Sequence, residues 1–197
     1  MMKNIIAPVL LLLGLLLAAS ALQAQTATIS PERKRAIDSL ALEKVRDLSR
    51  YITIIGDKET KFSEANRVIS RAVELFAEEA QIGVSSLYRN EIEYYDVRRY
   101  FEHLMALNYQ QVEISWYNIQ YVSDLELQPD GRYVGVITIF QRFQGFNEDG
   151  VAYSDVTKKD ITVYVERKRT QISGREVAFW DVLLGDIRVS ETRALND

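Results

Sequence analysis

The chain has no cysteine and a single histidine. That excludes disulfides, Cys-based zinc sites, iron–sulfur ligation and thiol nucleophiles, and leaves no His-rich metal centre. It also lacks an excess of positive charge: 24 Lys and Arg face 28 Asp and Glu, a formal net charge of -4. No bulk field therefore draws the protein to nucleic acid or to anionic lipid, and only a local patch would do so. Glycine-rich phosphate loops, a Gly-x-Ser-x-Gly elbow and a Glu/His metal cluster are missing from the sequence. Nucleotide hydrolysis, the commonest serine hydrolase chemistry and zinc catalysis are set aside with them. No repeat and no low-complexity segment is visible. No cofactor, no metal and no nucleic-acid partner is expected.

What is present starts with a leader. Lys3 and the amino terminus form a short positive region, and an apolar run follows from Ile5 to Leu17. Small residues then close it, with Ala19-Ser20-Ala21 and Leu22-Gln23-Ala24 as two candidate cleavage sites. This is the three-zone pattern of a secretory signal peptide. Residues 1–24 are read as that peptide, which makes the protein exported, periplasmic or extracellular. An uncleaved anchor is the alternative, because the apolar stretch reaches the lower limit of a membrane span. With the leader cleaved, no stable membrane insertion is expected. The remaining residues, rich in aromatic side chains and β-branched runs, suit one folded domain rather than a disordered chain.

Helical periodicity comes first. Ser30-Pro31 starts a helix, since Ser is a good N-cap and Pro fits the first helical position. Ile37, Leu40, Ala41, Val45, Leu48, Ile52 and Ile55 follow at helical spacing, and Gly56 stops the helix. Gly56–Lys61 is a loop, so residues 25–61 form an N-terminal helix and linker. Ser63 opens a second helix whose stripe runs from Ala65 to Ala80, closed by Gly83. A short strand is expected around Ser85–Tyr88. Asp96 then caps a third helix that carries Val97, Tyr100, Phe101, Leu104 and Met105, ending at Asn108.

From Tyr109 the period changes to two. Strands are expected at about 112–122, 133–145, 151–167 and 176–189. Turns at Pro129-Asp130-Gly131-Arg132, Asn147-Glu148-Asp149-Gly150 and Ser173-Gly174-Arg175 join them. Gly185 marks a bulge, and the polar tail from Glu191 frays, with 192–197 outside the domain. Helices first and strands last define the α+β class. The expected architecture is three N-terminal helices packed in a strongly curved antiparallel sheet, because strands this long need twist or bulges.

This order resembles the nuclear transport factor two-like superfamily, also called cystatin-like or SnoaL-like, over roughly Phe62–Val189. The resemblance is carried by the helix order, by Trp116-Tyr117-Asn118-Ile119 opening the meander, and by the closing strand Phe179-Trp180-Asp181-Val182-Leu183-Leu184-Gly185-Asp186-Ile187. It implies a cone-shaped cystatin-like roll with a pocket between sheet and helices, and frequent pairing through the outer sheet face. It implies no single activity, because such folds serve isomerases, dehydratases and protein-binding scaffolds alike.

The candidate chemistry is sparse. His103 lies on the third helix and is the one side chain that titrates near neutrality without perturbation. Asp181 and Asp186 lie on the last strand, where enzymatic relatives often place pocket acids. Asp155 and Asp160 lie on the third strand. A carboxylate desolvated by Trp116, Tyr117 or Trp180 would gain basicity. The plainer reading has these acids facing water or pairing with Arg142, Arg175 or Arg188. Tyr117, Tyr133 or Tyr153 would supply a donor, and Phe143 and Trp180 belong to the pocket or interface set. Lys158-Lys159 and Arg167-Lys168-Arg169 read as solvated strand ends that discourage edge pairing.

Two functions follow. The first is an exported non-catalytic binding or assembly module for an unknown protein or small apolar ligand. It expects a dry, mostly apolar cone or an exposed aromatic sheet face. The second is a small SnoaL-type lyase or isomerase, which expects a pocket with a buried carboxylate and a donor within reach. An anchored component of a secretion or conjugation apparatus would need the leader to remain. The first is preferred from sequence. Both faces of the meander carry apolar residues: Val112, Ile114 and Trp116 against Tyr117, Ile119 and Tyr121, then Val134, Val136 and Phe140 against Tyr133, Ile137, Ile139 and Phe143. A sheet packed on one side alternates more cleanly. The outer face is therefore expected to be covered, by the first helix or by a second copy in a homodimer.

Overall fold

A computed structural model describes residues 29–195. The leader read at residues 1–24 lies outside the described residues, as do the side chains of Tyr121 and Val122. One compact unit runs from Ala36 to Asp197; of the other, Met1–Arg35, only residues 29–35 are described. Among the described residues, no helix is long and apolar enough to cross a membrane.

Helix α1 spans Pro31–Gly56. Ser30 caps it as its sequence predicts, accepting from the Arg33 N–H at 3.3 Å. The stripe Ile37, Ala41, Val45, Leu48, Ile52 and Ile55 is buried. Helix α2, Phe62–Val73, is shorter than its periodicity suggests. The stripe continues beyond it, but the backbone turns to the sheet instead. Leu184 donates its N–H to the Leu75 carbonyl at 2.9 Å, and Ala77 donates to the Leu184 carbonyl at 2.7 Å. Phe76 closes a turn, its N–H donating to the Val73 carbonyl at 3.1 Å, and packs as part of the core beside Leu184.

Gly83 does not close a helix. It lies within strand β1, Gln81–Ser86, which pairs antiparallel with β2, Arg89–Asp96. The short strand expected near Ser85 is thus a full hairpin. Helix α3 spans Val97–Met105, ending before Asn108, and Asp96 is its N-cap residue without a side-chain capping bond. At the other end, the Lys58 ammonium donates to the carbonyls of Met105 at 3.1 Å and Leu107 at 2.6 Å. A cation there suits the negative end of the helix.

Four long strands follow: β3 Gln111–Leu127, β4 Tyr133–Asn147, β5 Gly150–Ile172 and β6 Arg175–Ala194. The six strands form one curved, unclosed sheet in the order β2-β1-β6-β5-β4-β3. The fold is α+β, helices against a strongly bent antiparallel sheet, with one parallel contact where β1 meets β6 at Ile82 and Ile187. The expected fraying after Glu191 is not seen: Glu191 to Ala194 continue β6 opposite Asp155–Lys158.

Bulges relieve the length of the strands. One sits where Ile161 and Val163 face Ile187 and Leu184, at the predicted Gly185. A Cβ there would stand 2.4 Å from the Tyr164 ring and 3.1 Å from Thr162 Cβ, so only glycine fits without displacement. Another lies between Tyr117 and Gln120, with Asn118 at φ 51°.

The inner face carries Tyr133, Ile137, Ile139, Gln141 and Phe143 on β4. Opposite them on β5 stand Val165, Ile161, Lys159, Thr157 and Asp155. The end of α1 packs here: a Cβ on Gly56 would lie within 3.7 Å of Ile114, Leu104 and Val112, and Thr53 Oγ1 donates to the Ile114 carbonyl. The end of α1 therefore lies on the inner face and does not cover the outer one. On that outer face Tyr117 stacks on Phe140 at 5.7 Å, and both rings stay partly exposed.

Candidate active site

The period-two alternation of β5 continues unbroken from Val165 to Asp155, but its inward residues change chemistry on the way. Val165, Val163 and Ile161 are apolar, and Lys159, Thr157 and Asp155 are polar. All six are buried, Asp155 and Lys159 to 3% exposure each. The polar three, with Gln141 from β4, line a cavity of about 520 Å³. It lies between the bent sheet and α3, with the exposed Tyr88, Arg89 and His103 at its open side. Tyr100 and His103 of α3, Val84 of β1, and the rings of Phe143, Tyr153 and Tyr109 complete its wall.

Asp155 is held chiefly through Oδ2. Tyr153 Oη donates to its Oδ2 at 2.6 Å, while Tyr153 Oη itself accepts from the Leu87 N–H at 3.0 Å. The other oxygen, Oδ1, is buried with no hydrogen-bond partner. Burial pushes the Asp155 carboxyl above the usual range, only partly opposed by the Tyr153 bond, the Lys159 charge and the Thr157 hydroxyl. A desolvated carboxylate with a free lone pair is a strengthened base. Burial and the bond to Asp155 push the Tyr153 phenol up to about 12, so it stays a donor at neutral pH.

Lys159 is the complementary group. Its ammonium donates to the Gly83 carbonyl at 3.3 Å and lies 5.9 Å from the Tyr100 ring centre. Burial lowers its pKa to about 8, with Asp155 as the opposing influence. The same burial raises the Tyr100 phenol. Asp155 and Lys159 share the cavity, yet their charged atoms do not approach within the 4.0 Å of an ion pair. Two buried groups of opposite charge thus line one cavity without forming an ion pair.

The aromatic wall is contiguous. Tyr109 meets Phe143 at 6.0 Å, Phe143 meets Tyr153 at 5.8 Å, and Tyr88 meets Tyr153 at 5.6 Å, all edge to face. Gln141 Oε1 accepts from Trp116 Nε1 at 3.1 Å, which fixes its amide. Glycine at 145 matters here, since a Cβ would stand 2.7 Å from the Tyr109 ring.

Of the residues singled out from sequence, His103, Phe143 and Tyr153 line the cavity. His103 is exposed and stacks edge-on against Tyr95 at 4.7 Å. Trp116 sits one hydrogen bond behind Gln141. Tyr117 is on the outer face with Phe140. Tyr133 and Trp180 meet each other at 5.7 Å, away from the cavity lining. Asp181 pairs with Lys168 at 2.7 Å, and Asp186 accepts from the Gln81 N–H at 3.1 Å and pairs with Arg188 at 3.4 Å. Neither carboxylate reaches the cavity. Asp160 accepts from Thr138 and Ser190.

Asp155 departs from the plainer reading of its carboxylate group, because its strand position faces inward. Lys159 departs further: it reads as a solvated strand end beside Lys158, yet it is buried. The signal lay in its parity with Ile161 and Val163, which put it on the core side of the same strand. Among the described residues, no group of three His, Asp or Glu side chains is placed to hold a metal ion.

No protein-family model matches the chain, and no curated protein matches it by sequence. Two solved structures are similar in fold. One is a scytalone dehydratase-like protein from Novosphingobium aromaticivorans, 12% identical, covering 83% of this chain and 91% of that one, with a TM-score of 0.42. The other is a hexachlorocyclohexane dehydrochlorinase of type 2, 13% identical, covering 82% of this chain and 93% of that one, with a TM-score of 0.38. What this cavity does is argued from its own residues.

Proposed function

We propose that the chain is a small lyase or isomerase that removes a proton next to a carbonyl group. The observation that carries this reading is the half-satisfied, buried carboxylate of Asp155 in a cavity that it shares with Lys159. Asp155 Oδ1 takes the proton, and the electrons of the broken C–H bond move into the carbonyl. Negative charge then develops on the carbonyl oxygen. Lys159, itself buried, stabilises it, and that burial strengthens the attraction relative to water. Tyr153 orients Asp155 through its 2.6 Å hydrogen bond. Returning the proton at another carbon gives isomerisation, and expelling a neighbouring leaving group gives elimination. The aromatic wall suits a small substrate with a flat apolar body.

A binding module of the kind preferred from sequence calls for a mostly apolar cone or an exposed aromatic sheet face; the charged pair speaks against the first, and the partly exposed Tyr117 and Phe140 leave the second open. The discriminating experiment follows deuterium entering the α-position of phenylacetone in heavy water by proton NMR. Acceleration by the protein that vanishes in Asp155→Asn supports proton transfer. No acceleration with any of a panel of aryl ketones returns the cavity to the binding reading. We propose also that the chain is exported and pairs through its outer sheet face. Intact mass starting at Leu22 or Gln25, and sedimentation equilibrium over a hundredfold concentration range, test the two points.

A further inference from the structure

We propose that Lys159 is a nucleophile that joins carbonyl compounds covalently, forming an imine inside the cavity. The inference deepens the proton-transfer reading above and rests on it. The geometry supports it in three ways. Lys159 faces the cavity rather than solvent, although its neighbour Lys158 on the opposite face is half-exposed. The Gly83 carbonyl accepts one of its three N–H groups at a long 3.3 Å, and no carboxylate lies close enough to lock it as an ammonium ion. Asp155 stands four residues along the same strand face and lines the same cavity, which gives it an acid–base group.

Burial supplies the reactive form. A lysine brought down to about 8 holds about 10% free amine at pH 7, against about 0.03% for an ordinary lysine near 10.5, roughly three-hundredfold more. Desolvated lysines of this kind attack carbonyl carbon readily.

The step balances without an oxidant or reductant. The amine lone pair attacks the carbonyl carbon, and the C–O π electrons move to oxygen. A proton passes from nitrogen to that oxygen. A second proton, the one the ammonium gave up and the Asp155 carboxylate took by way of water, is returned by Asp155 and lets the C–O bond break and water leave. The product is a protonated imine and the Asp155 carboxylate. The positive charge stays where the ammonium was, and Asp155 is now ionised for removal of the α-proton. The imine accepts those electrons as an enamine.

The test uses the full chain and benzoylacetone, a flat aryl β-diketone. Its condensation with a free amine releases water and leaves a stable enaminone, read by near-ultraviolet absorbance, intact mass and peptide mapping. The expected result is one adduct per chain, mapped to Lys159, forming about a hundredfold faster than at any other lysine. Lys158→Met should keep it, and Lys159→Met should lose it. Mapping on the unaltered chain keeps the test decisive even where Lys159→Met fails to fold. Adducts spread over exposed lysines, or none at Lys159, overturn the proposal. Exchange of phenylacetone protons without an adduct at Lys159 also overturns it, while leaving proton transfer by Asp155 standing. An adduct without exchange keeps the nucleophile and removes the proton-transfer reading.

Discussion

The inner face of the β4–β5 pair has two ends that are both buried and chemically opposite. At one end Ile137, Ile161, Val163 and Val165 are fully buried among apolar neighbours. At the other, Gln141, Asp155, Thr157 and Lys159 are buried almost as completely. The first end gains stability from every side chain, by roughly 1.5–3 kcal/mol for each large one. The second loses stability, because it takes charges out of water without joining them in an ion pair. One strand therefore serves as both a core and a reactive surface. The difference teaches that burial by itself does not identify a core; the cost of what is buried separates packing from chemistry.

The sharpest break in that comparison comes at Asp155. Asp155→Asn should lower proton exchange by about 10²–10⁴-fold, the usual worth of a positioned base. It should not lower stability at neutral pH. The folded carboxyl holds its proton more tightly than the unfolded one. Stability from this group therefore falls as pH rises through the window above the unfolded value, and Asn removes that loss. A variant with full exchange activity would displace Asp155 from the site.

Leu184→Ala acts on the other end. Leu184 is fully buried on β6, so the loss should be about 2–5 kcal/mol by denaturant unfolding, with the remaining folded protein still active.

Lys159→Met should do the reverse, raising stability by up to about 3 kcal/mol at pH 7 while removing activity. The sign follows from the lowered pKa. Below about 8 the folded state holds the ammonium against its burial, and the penalty is fully present. It fades as pH rises toward the unfolded value of 10.5, so the advantage of Met should vanish there. Unfolding midpoints of both proteins at pH 7 and above pH 10.5 read the difference.

Trp180→Ala gives the smallest effect. Trp180 is half-buried against Tyr133, so about 1–2 kcal/mol is expected rather than the larger loss of a fully buried ring. Thermal unfolding decides it, and exchange activity should persist.

Much of this contrast was legible in the sequence, and the reasons for the rest are physical. The helix caps, the three hairpin turns and the switch from helical to alternating period are local signals, and they place α1, α3 and β3 to β6. The end of α2 is not local. Ala65 to Ala80 keep helical spacing, but hydrogen bonds to Leu184, more than a hundred residues away, decide where the helix stops. The hairpin β1–β2 was hidden for a similar reason: Gly83 reads as a helix stop, yet it sits where a Cβ would press on the Ile187 carbonyl at 3.1 Å. The site was half visible. Tyr153, Phe143 and His103 stood out as residue types. Lys159 did not, because a lysine beside a lysine reads as solvated. Its place is fixed by strand parity, which counts from Ile161 and Val163, not by its own chemistry.

One pair of opposite charges lines one cavity without forming an ion pair, and the titration of Lys159 reads that arrangement. Lysine labelled with carbon-13 at Cε, assigned by Lys159→Met, reports it by NMR. The account predicts a midpoint near 8 that falls further in Asp155→Asn, because the carboxylate supports the ammonium. A midpoint near the ordinary value of 10.5, unmoved by Asp155→Asn, would contradict it.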